Sequence, residues 1–587
     1  MSFNHYILVQ SMNGKCKIKP ALLYVEIFEV IQKKGVLFAV LLLVVLLPMS
    51  QFPDSRIDTS KIPRHGIISI LADHDTIVIN NDTDFMNQAT LESWPGNGTI
   101  GNPYLIQNYN FSTGGVAITI KDTSVHFIIQ YCTLFSPDTC IYLSNVKNGT
   151  VYHCNSNSAI MFYKGSRNSV TSNTIHRTSS PGISIFEAND IEITQNTIEC
   201  LYTGIELDRA INITITFNEI DGGGISVDGN SIEFLNSHTI HDNLVDGQPV
   251  LYLNGLSEAC FDVSLYSQVI VVDCEGCSLH SGLFIDSYFY AITISFSQDI
   301  EVYDCNVSQI HSAFMYVYKS SGCSFINNSI NGVIVPYDFD ECQSCIIQGN
   351  IIDGGFHTFK LDNVRDFIFE GNSLYNSEVF FWSRNVNGTI IHDNLLDGWN
   401  TDFGIELIRG YSNYIYGNKI KQCQEGISIE EGAHNIFINN KVFDSGQFGI
   451  HLQASTYNNT FVNNTLARSD LSNALDEGAG NHWDDSIAFG NIWDSYDGFG
   501  SYSIPGAAGA IDHFPRTYEP ATTSSISTST TTNSLPTIST TTTQSTSTPA
   551  TSPIEFPDLT GLLLIVGVVG IISVVVIIVI INLRKRT

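Results

Sequence analysis

Apolar and polar positions alternate with a period of two through short segments, and the segments themselves return about every 22 residues. An Asn-x-(Ile/Leu/Val) tripeptide marks each return, beginning at Asn173, Asn196, Asn218, Asn243, Asn328, Asn350, Asn372, Asn394, Asn418, Asn440 and Asn464. Three residues before most of these asparagines stands another apolar residue, such as Ile193, Ile215, Ile347, Phe369 and Phe437. Alternation of this kind predicts a strand with one buried face. A second alternating stretch opens on glycine shortly afterwards, as in Gly204-Ile-Glu-Leu207 and Gly426-Ile-Ser-Ile429. No helical period competes with it, and a fixed period means one unit stacked on copies of itself.

Two or three short strands per repeat, with no recurring hairpin dipeptide, predict one coil of a parallel β-helix. Each strand then pairs with its copy one coil later, and equivalent residues stack about 4.8 Å apart. A stacked Asn can hydrogen-bond the backbone and its own copies, which explains one polar residue type recurring beside aliphatics. The register places Cys132, Cys154, Cys274 and Cys305 in the Asn slot as well, for about sixteen coils. That predicts a rod on the order of 75 Å long. Spacing widens to about 31 residues on either side of Cys274, where longer loops are expected to project.

The 587 residues carry a net charge of -31 with only 14% charged side chains, which argues against nucleic acid as a partner. Residues 1–50 form an N-terminal segment whose apolar core, 36–47, has signal-peptide length, with a retained anchor as the alternative. A lead-in and cap over 51–90, coils over 91–466 and a closing segment over 467–516 follow. A Thr/Ser-rich stalk is expected at 517–557. An uncharged run inside 558–583 has the length of a transmembrane helix, and the basic tail 584–587 orients it with the C-terminus in the cytoplasm and the rod outside. Sequons at Asn81, Asn97, Asn110, Asn148, Asn212, Asn306, Asn327, Asn387, Asn458 and Asn463 are candidate glycosylation sites of an exported chain.

Flanking residues add a resemblance. Trp94-Pro-Gly-Asn-Gly-Thr99 with Asn102-Pro-Tyr104, then Asp246-Gly-Gln-Pro-Val-Leu-Tyr252, then Asn481-His-Trp483, Asp484, Gly490, Trp493, Asp512 and Pro515 stand in this order. Together they resemble NosD-like right-handed β-helix proteins of archaeal and bacterial surfaces, within the carbohydrate-binding and sugar hydrolase (CASH) class of β-helix repeats. The resemblance implies a right-handed helix; it does not transfer one activity, because the scaffold carries copper-protein maturation factors, polysaccharide enzymes and adhesins.

Glu206 and Glu406 face outwards inside the second strand, and further acids recur just after it. Glu206, Asp208, Asp228 and Asp286 are candidates for a weak Ca²⁺ or glycan-contact stripe, because stacked carboxylates repel unless a cation or proton lies between them. Turn-capping acids are the alternative. Asp338, Asp340 and Glu341 form the densest acidic cluster and are kept as ligand candidates, although a solvated loop is the plainer expectation. Tyr288, Tyr290, Phe314, Tyr316, Tyr318, Phe380, Phe381 and Trp382 predict an aromatic strip for sugar stacking, or core and rim packing. A copper reading rests on His238 and His241, which a strand would point to opposite sides. Zinc is disfavoured because Cys274 and Cys277 lie about three coils from Cys342 and Cys345. Stacked thiols instead suggest disulfides Cys132–Cys154, Cys274–Cys305 and Cys323–Cys345.

No hydrolase or lyase motif of the β-helix enzymes occurs, so no catalytic residues or cofactor beyond Ca²⁺ are assigned. The sequence reads as a membrane-anchored extracellular scaffold that binds glycans or other surface proteins. A polysaccharide hydrolase or lyase is the alternative, and metal handling by NosD analogy comes third.

Overall fold

A computed structural model describes residues 71–519, apart from 138, 179–180 and 286–288. The N-terminal apolar segment, nearly all of the stalk, the apolar run at 558–583 and the basic tail lie outside the described residues, as do Asp286 and Tyr288. Among the described residues no helix is long and apolar enough to cross a membrane.

Each coil contributes three short strands, illustrated by Ser169–Thr171, Thr174–Thr178 and Ile183–Phe186. The coils therefore stack three sheets around an apolar core. The ladder is parallel throughout the coils: Ile193 pairs with Ile215 and Ile215 with Ile240 in the first sheet. Ile198 pairs with Ile220 in the second, and Leu207 with Val227 in the third. The first sheet comprises a seven-stranded and a ten-stranded ladder, and a bridge from Thr460 to His482 adds a further rung, giving about 18 turns rather than sixteen. The extra turns escape the tripeptide count for a definable reason. Tyr109 pairs beneath Cys132 in the Asn slot, Gly282 sits beneath Cys305, and Asn491 follows Asn464 after an unusual gap of 27 residues.

The Asn slot is a hydrogen-bond ladder. Where asparagines fill successive rungs, the side-chain Oδ1 accepts both the backbone N–H and the Nδ2 of the Asn one coil earlier, as Asn418 does for Asn394 at 3.0 and 2.9 Å. The slot asparagines are buried, so the ladder satisfies both the corner backbone and the amides themselves. From Asn173 to Asn464 the residue before each of them takes a left-handed φ, from 54° at Asn327 and Asp393 to 67° at Gly417, which turns the corner and favours the Asn, Asp and Gly found at most of these positions. A second ladder of the same construction runs through Asn413, Asn435, Asn459 and Asn481 at the corner between the third and first sheets.

Both ladders end on a buried carboxylate. Asn481 Nδ2 and Trp483 Nε1 donate to Asp476 at 3.0 and 2.9 Å, while the Asn491 N–H and Trp493 Nε1 donate to Asp512 at 2.7 and 2.9 Å. The other end is covered by the helix Asp82–Leu91, capped by the Asn81 side chain, with Phe85 packed 5.1 Å from the Phe127 ring.

The widened spacing is a seam in the rod rather than a pair of loops projecting from a continuous one. After Leu244–Val245 the chain doubles back antiparallel onto Gln248–Pro249, and Gln248–Asn254 then starts a new parallel ladder with Gln268–Val272. At this break the third sheet's strand Gly224–Asp228 has no backbone partner ahead of it. The Gln268 amide takes that place, accepting from Ile225 N and donating to Ile225 O, each at 2.9 Å. Gln268 is 2% exposed, so a side chain here completes a strand edge inside the protein.

Candidate functional site

The seam leaves a cleft of about 390 Å³ on the third sheet. One wall comes from the last rungs before the break, with Tyr202, Ser226 and Asp228; the other comes from rungs after it, with Tyr290, Thr293, Tyr316, Tyr318 and Asp340. Alternation puts these side chains outward. Thr293 stacks on Tyr316 and Tyr316 on Asp338, while Ser295, Tyr318 and Asp340 form the neighbouring column. Phe314, Phe380 and Phe381 point into the core, so the predicted aromatic strip divides, with Tyr290, Tyr316, Tyr318 and Trp382 facing out. The Tyr290 and Tyr316 rings lie 5.4 Å apart, and Tyr316 stacks on Tyr318 at 6.1 Å and 10°.

The cleft is electronegative. Asp208 and Asp228 are register partners, and Glu206 pairs with Ser226 in the adjacent column. Ser226 Oγ donates to Asp228 at 2.6 Å. Although Asp228 keeps solvent access, the walls desolvate its carboxyl and raise its pKa, helped by the charges of Glu206 and Asp208. Burial likewise raises the phenols of Tyr290 and Tyr316, with Asp338 and Asp228 adding to both shifts.

Charged partners hold three of the other candidate acids, Asp208, Asp338 and Glu341. Asp208 receives Arg209 Nε at 3.2 Å, and the same guanidinium reaches Glu187 at 2.7 Å. Ser184 Oγ donates to Glu206 at 2.8 Å. Asp338 and Asp340 lie on the strand Val335–Asp340 rather than in a solvated loop; Asp338 is 6% exposed and takes Lys360 Nζ at 2.8 Å. Glu341 turns the corner at φ 53° and stands 3.7 Å from Lys319. Asp286 lies outside the described residues.

Further along the same outward column, Asp338, Lys360, Trp382, Glu406, Ser428 and His451 succeed one another rung by rung. Burial and the nearby Glu430 and Glu425 push the Glu406 carboxyl up to about 7. His451 Nδ1 lies 2.9 Å from Glu425 Oε1, and that hydrogen bond, with the carboxylate's charge, raises the imidazole pKa. This row was only partly legible in the sequence, where Glu406 showed as an outward acid but His451 and Glu425 carried no signal.

Among the described residues no group of three or more His, Cys, Asp or Glu could hold an ion. His238 uses both ring nitrogens, accepting from Ile213 N at 3.2 Å and approaching Phe234 O at 2.8 Å, and His241 Nδ1 contacts Asp242. A copper site therefore does not fit these histidines.

The six cysteines expected to stack are buried and free. Cys132 precedes Thr133, and Cys154 precedes its register partner Asn155, so that pair does stack; Cys323 and Cys345 stack likewise beside Ser324 and Ile346. Cys274 does not stack over Cys305. Its N–H bonds Ser297 Oγ at another corner, and its sulfur interacts with Cys277. All ten sequon asparagines are exposed or half-buried, and Asn327, Asn458 and Asn463 each immediately precede a buried ladder asparagine.

Residues 297–498 match the family described as periplasmic copper-binding protein (NosD), and residues 94–249 match the right-handed β-helix region. No curated protein matches the chain. Among solved structures it is similar to the periplasmic alginate epimerase AlgG, at 11% identity over 70% of this chain and 83% of that one, with a TM-score of 0.27. It is also similar to PfbA, a surface adhesin of Streptococcus pneumoniae, at 12% identity over 60% and 85% of the two chains and a TM-score of 0.20. The Azotobacter vinelandii mannuronan C-5 epimerase AlgE6 A-module matches at 11% identity over 64% and 92%, with a TM-score of 0.21. The two family matches fall on either side of the seam in one stack of parallel coils, so both parts of the solenoid are similar to NosD-like right-handed β-helix proteins.

Proposed function

We propose that this solenoid is the glycan-binding part of an exported surface protein, with the seam cleft as its principal subsite. The observation that carries the reading is the cleft's lining: Tyr202, Tyr290, Tyr316 and Tyr318 around Asp228 and Asp340 in about 390 Å³. Aromatic faces stack on the C–H faces of sugars, and carboxylates and hydroxyls accept and donate to sugar hydroxyls. The volume falls within the range of small-ligand sites. The surface position of the sequon asparagines and the family's periplasmic description support an exterior location. The Thr/Ser-rich segment and the uncharged run 561–581 support a stalk and a single membrane anchor.

The test is a glycan panel probed with the full-length chain and with Tyr316→Ala. Selective binding that the variant weakens by about tenfold or more supports the reading, that being the worth of one well-packed aromatic contact. Failure to bind any glycan overturns it.

A second reading, a polysaccharide-active enzyme, is favoured by Glu406, a carboxyl pushed up to about 7 and so suited to proton donation at neutral pH. Shortened products that vanish in Glu406→Gln would support it. Metal handling has less to stand on, since the histidines are committed elsewhere.

A further inference from the structure

Charge within the cleft distinguishes among glycans. Among the described residues its lining contains Asp228 and Asp340 but no lysine or arginine, and His311 is the one histidine there. The nearest lysines are engaged. Lys319 Nζ donates to Asn230 O at 3.0 Å and covers the Tyr318 ring at 4.9 Å, and Lys360 is bound to Asp338. Arg209 is divided between Asp208 and Glu187. Asp228 thus has Ser226 as its hydrogen-bond donor, while the charges acting on it, from Glu206 and Asp208, are both negative.

Resting on the glycan reading above, we infer that the seam cleft selects a chain of 2-amino-2-deoxy sugars bearing free amines, with an ammonium seated on Asp228 and the sugar faces on Tyr290 and Tyr316. An ammonium there gains a charge-assisted hydrogen bond and the negative faces of neighbouring rings. A uronate would bring a third carboxylate between Asp228 and Asp340, where Lys319 at the rim is already engaged by Asn230 O and Tyr318, which is repulsive. An N-acetylated sugar keeps the stacking and loses the charge. A divalent cation would need additional donors, and the described residues supply no such group.

The experiment is calorimetric titration of the full-length chain with hexamers of β-1,4-linked glucosamine, their fully N-acetylated counterpart and oligomannuronate, with and without a chelator. The free amine is expected to bind about tenfold or more tighter than the N-acetylated hexamer, with no detectable uronate binding. Asp228→Asn should bring that ratio close to one while leaving the N-acetylated affinity nearly unchanged. Because the chain carries a net charge of -31, a cationic sugar could adhere unspecifically; Asp304→Asn, at a corner away from the cleft, must therefore leave the ratio unchanged. Thermal unfolding of each variant checks that it folds, and Glu206→Gln offers a second, milder removal of negative charge if Asp228→Asn does not.

Equal affinity for the amine and N-acetyl hexamers, a ratio insensitive to Asp228, a preference for uronate, or binding lost to the chelator would each overturn the inference while leaving glycan binding intact. No binding to any hexamer would overturn both.

Discussion

Trp493 Nε1 donates to a carboxylate oxygen of Asp512 at 2.9 Å, and the same oxygen accepts the Asn491 N–H at 2.7 Å. The last Asn of the first ladder offers an N–H, and the next rung puts Pro515 rather than an asparagine in the slot to receive it. A buried carboxylate beside an indole ends the series, as Asp476 does for the second ladder with Trp483. Asp512→Ala strands both donors and is expected to cost about 2–4 kcal/mol. Urea unfolding should register the loss, with faster hydrogen exchange in the last coils.

Mid-ladder asparagines should cost comparably for a different reason. Asn418 accepts twice from Asn394 and donates to Ile391 O, Tyr416 O and Asn440 Oδ1. Asn418→Leu leaves a buried backbone N–H and amide unpaired, at about 2–4 kcal/mol by denaturant titration. Asn327→Asp, at an exposed left-handed corner that tolerates either residue, should fall within about 0.5 kcal/mol of the parent.

Glu406 supplies a pH signature. Its folded carboxyl, at about 7, lies above the ordinary 4.5, so the folded chain binds the extra proton between these values. Stability from this group is therefore highest at acid pH and falls as pH rises through that window. The difference in unfolding free energy between the parent and Glu406→Gln, followed across the window, should show this slope; a flat difference would contradict it.

Lys360 holds a nearly buried acid. Burial raises the Asp338 pKa even with the ammonium 2.8 Å away. Lys360→Met should raise it further and destabilise the chain at neutral pH by about 1–3 kcal/mol, the lysine's own exposure moderating the cost. Adding Asp338→Asn should restore most of the loss, as a double-mutant cycle would measure.

Mild oxidation of the folded chain discriminates among the thiols. Stacked rungs about 4.8 Å apart lie within disulfide reach, so peptide mapping should find Cys132–Cys154 and Cys323–Cys345 links. A Cys274–Cys305 link is not expected, because Gly282 rather than Cys274 lies under Cys305.

The sequence by itself determined the coil, because most rungs repeat one chemical requirement: a buried amide at a corner and an apolar residue three before it. The same regularity located the outward acids Glu206, Asp208 and Asp228 on one sheet. The second ladder was harder to see, since its slot holds Asn168, Ile191, Ile213 and His238 early and Cys323, Phe367 and Thr389 later before settling on asparagine. Only the tertiary structure decided the seam. There the chain leaves the repeat, doubles back at Val245 and lets the Gln268 side chain complete a strand, none of which has a period to detect. Asp228 and Tyr316 become neighbours across one cleft because two ladders meet there, and that meeting is set by packing rather than by spacing along the chain.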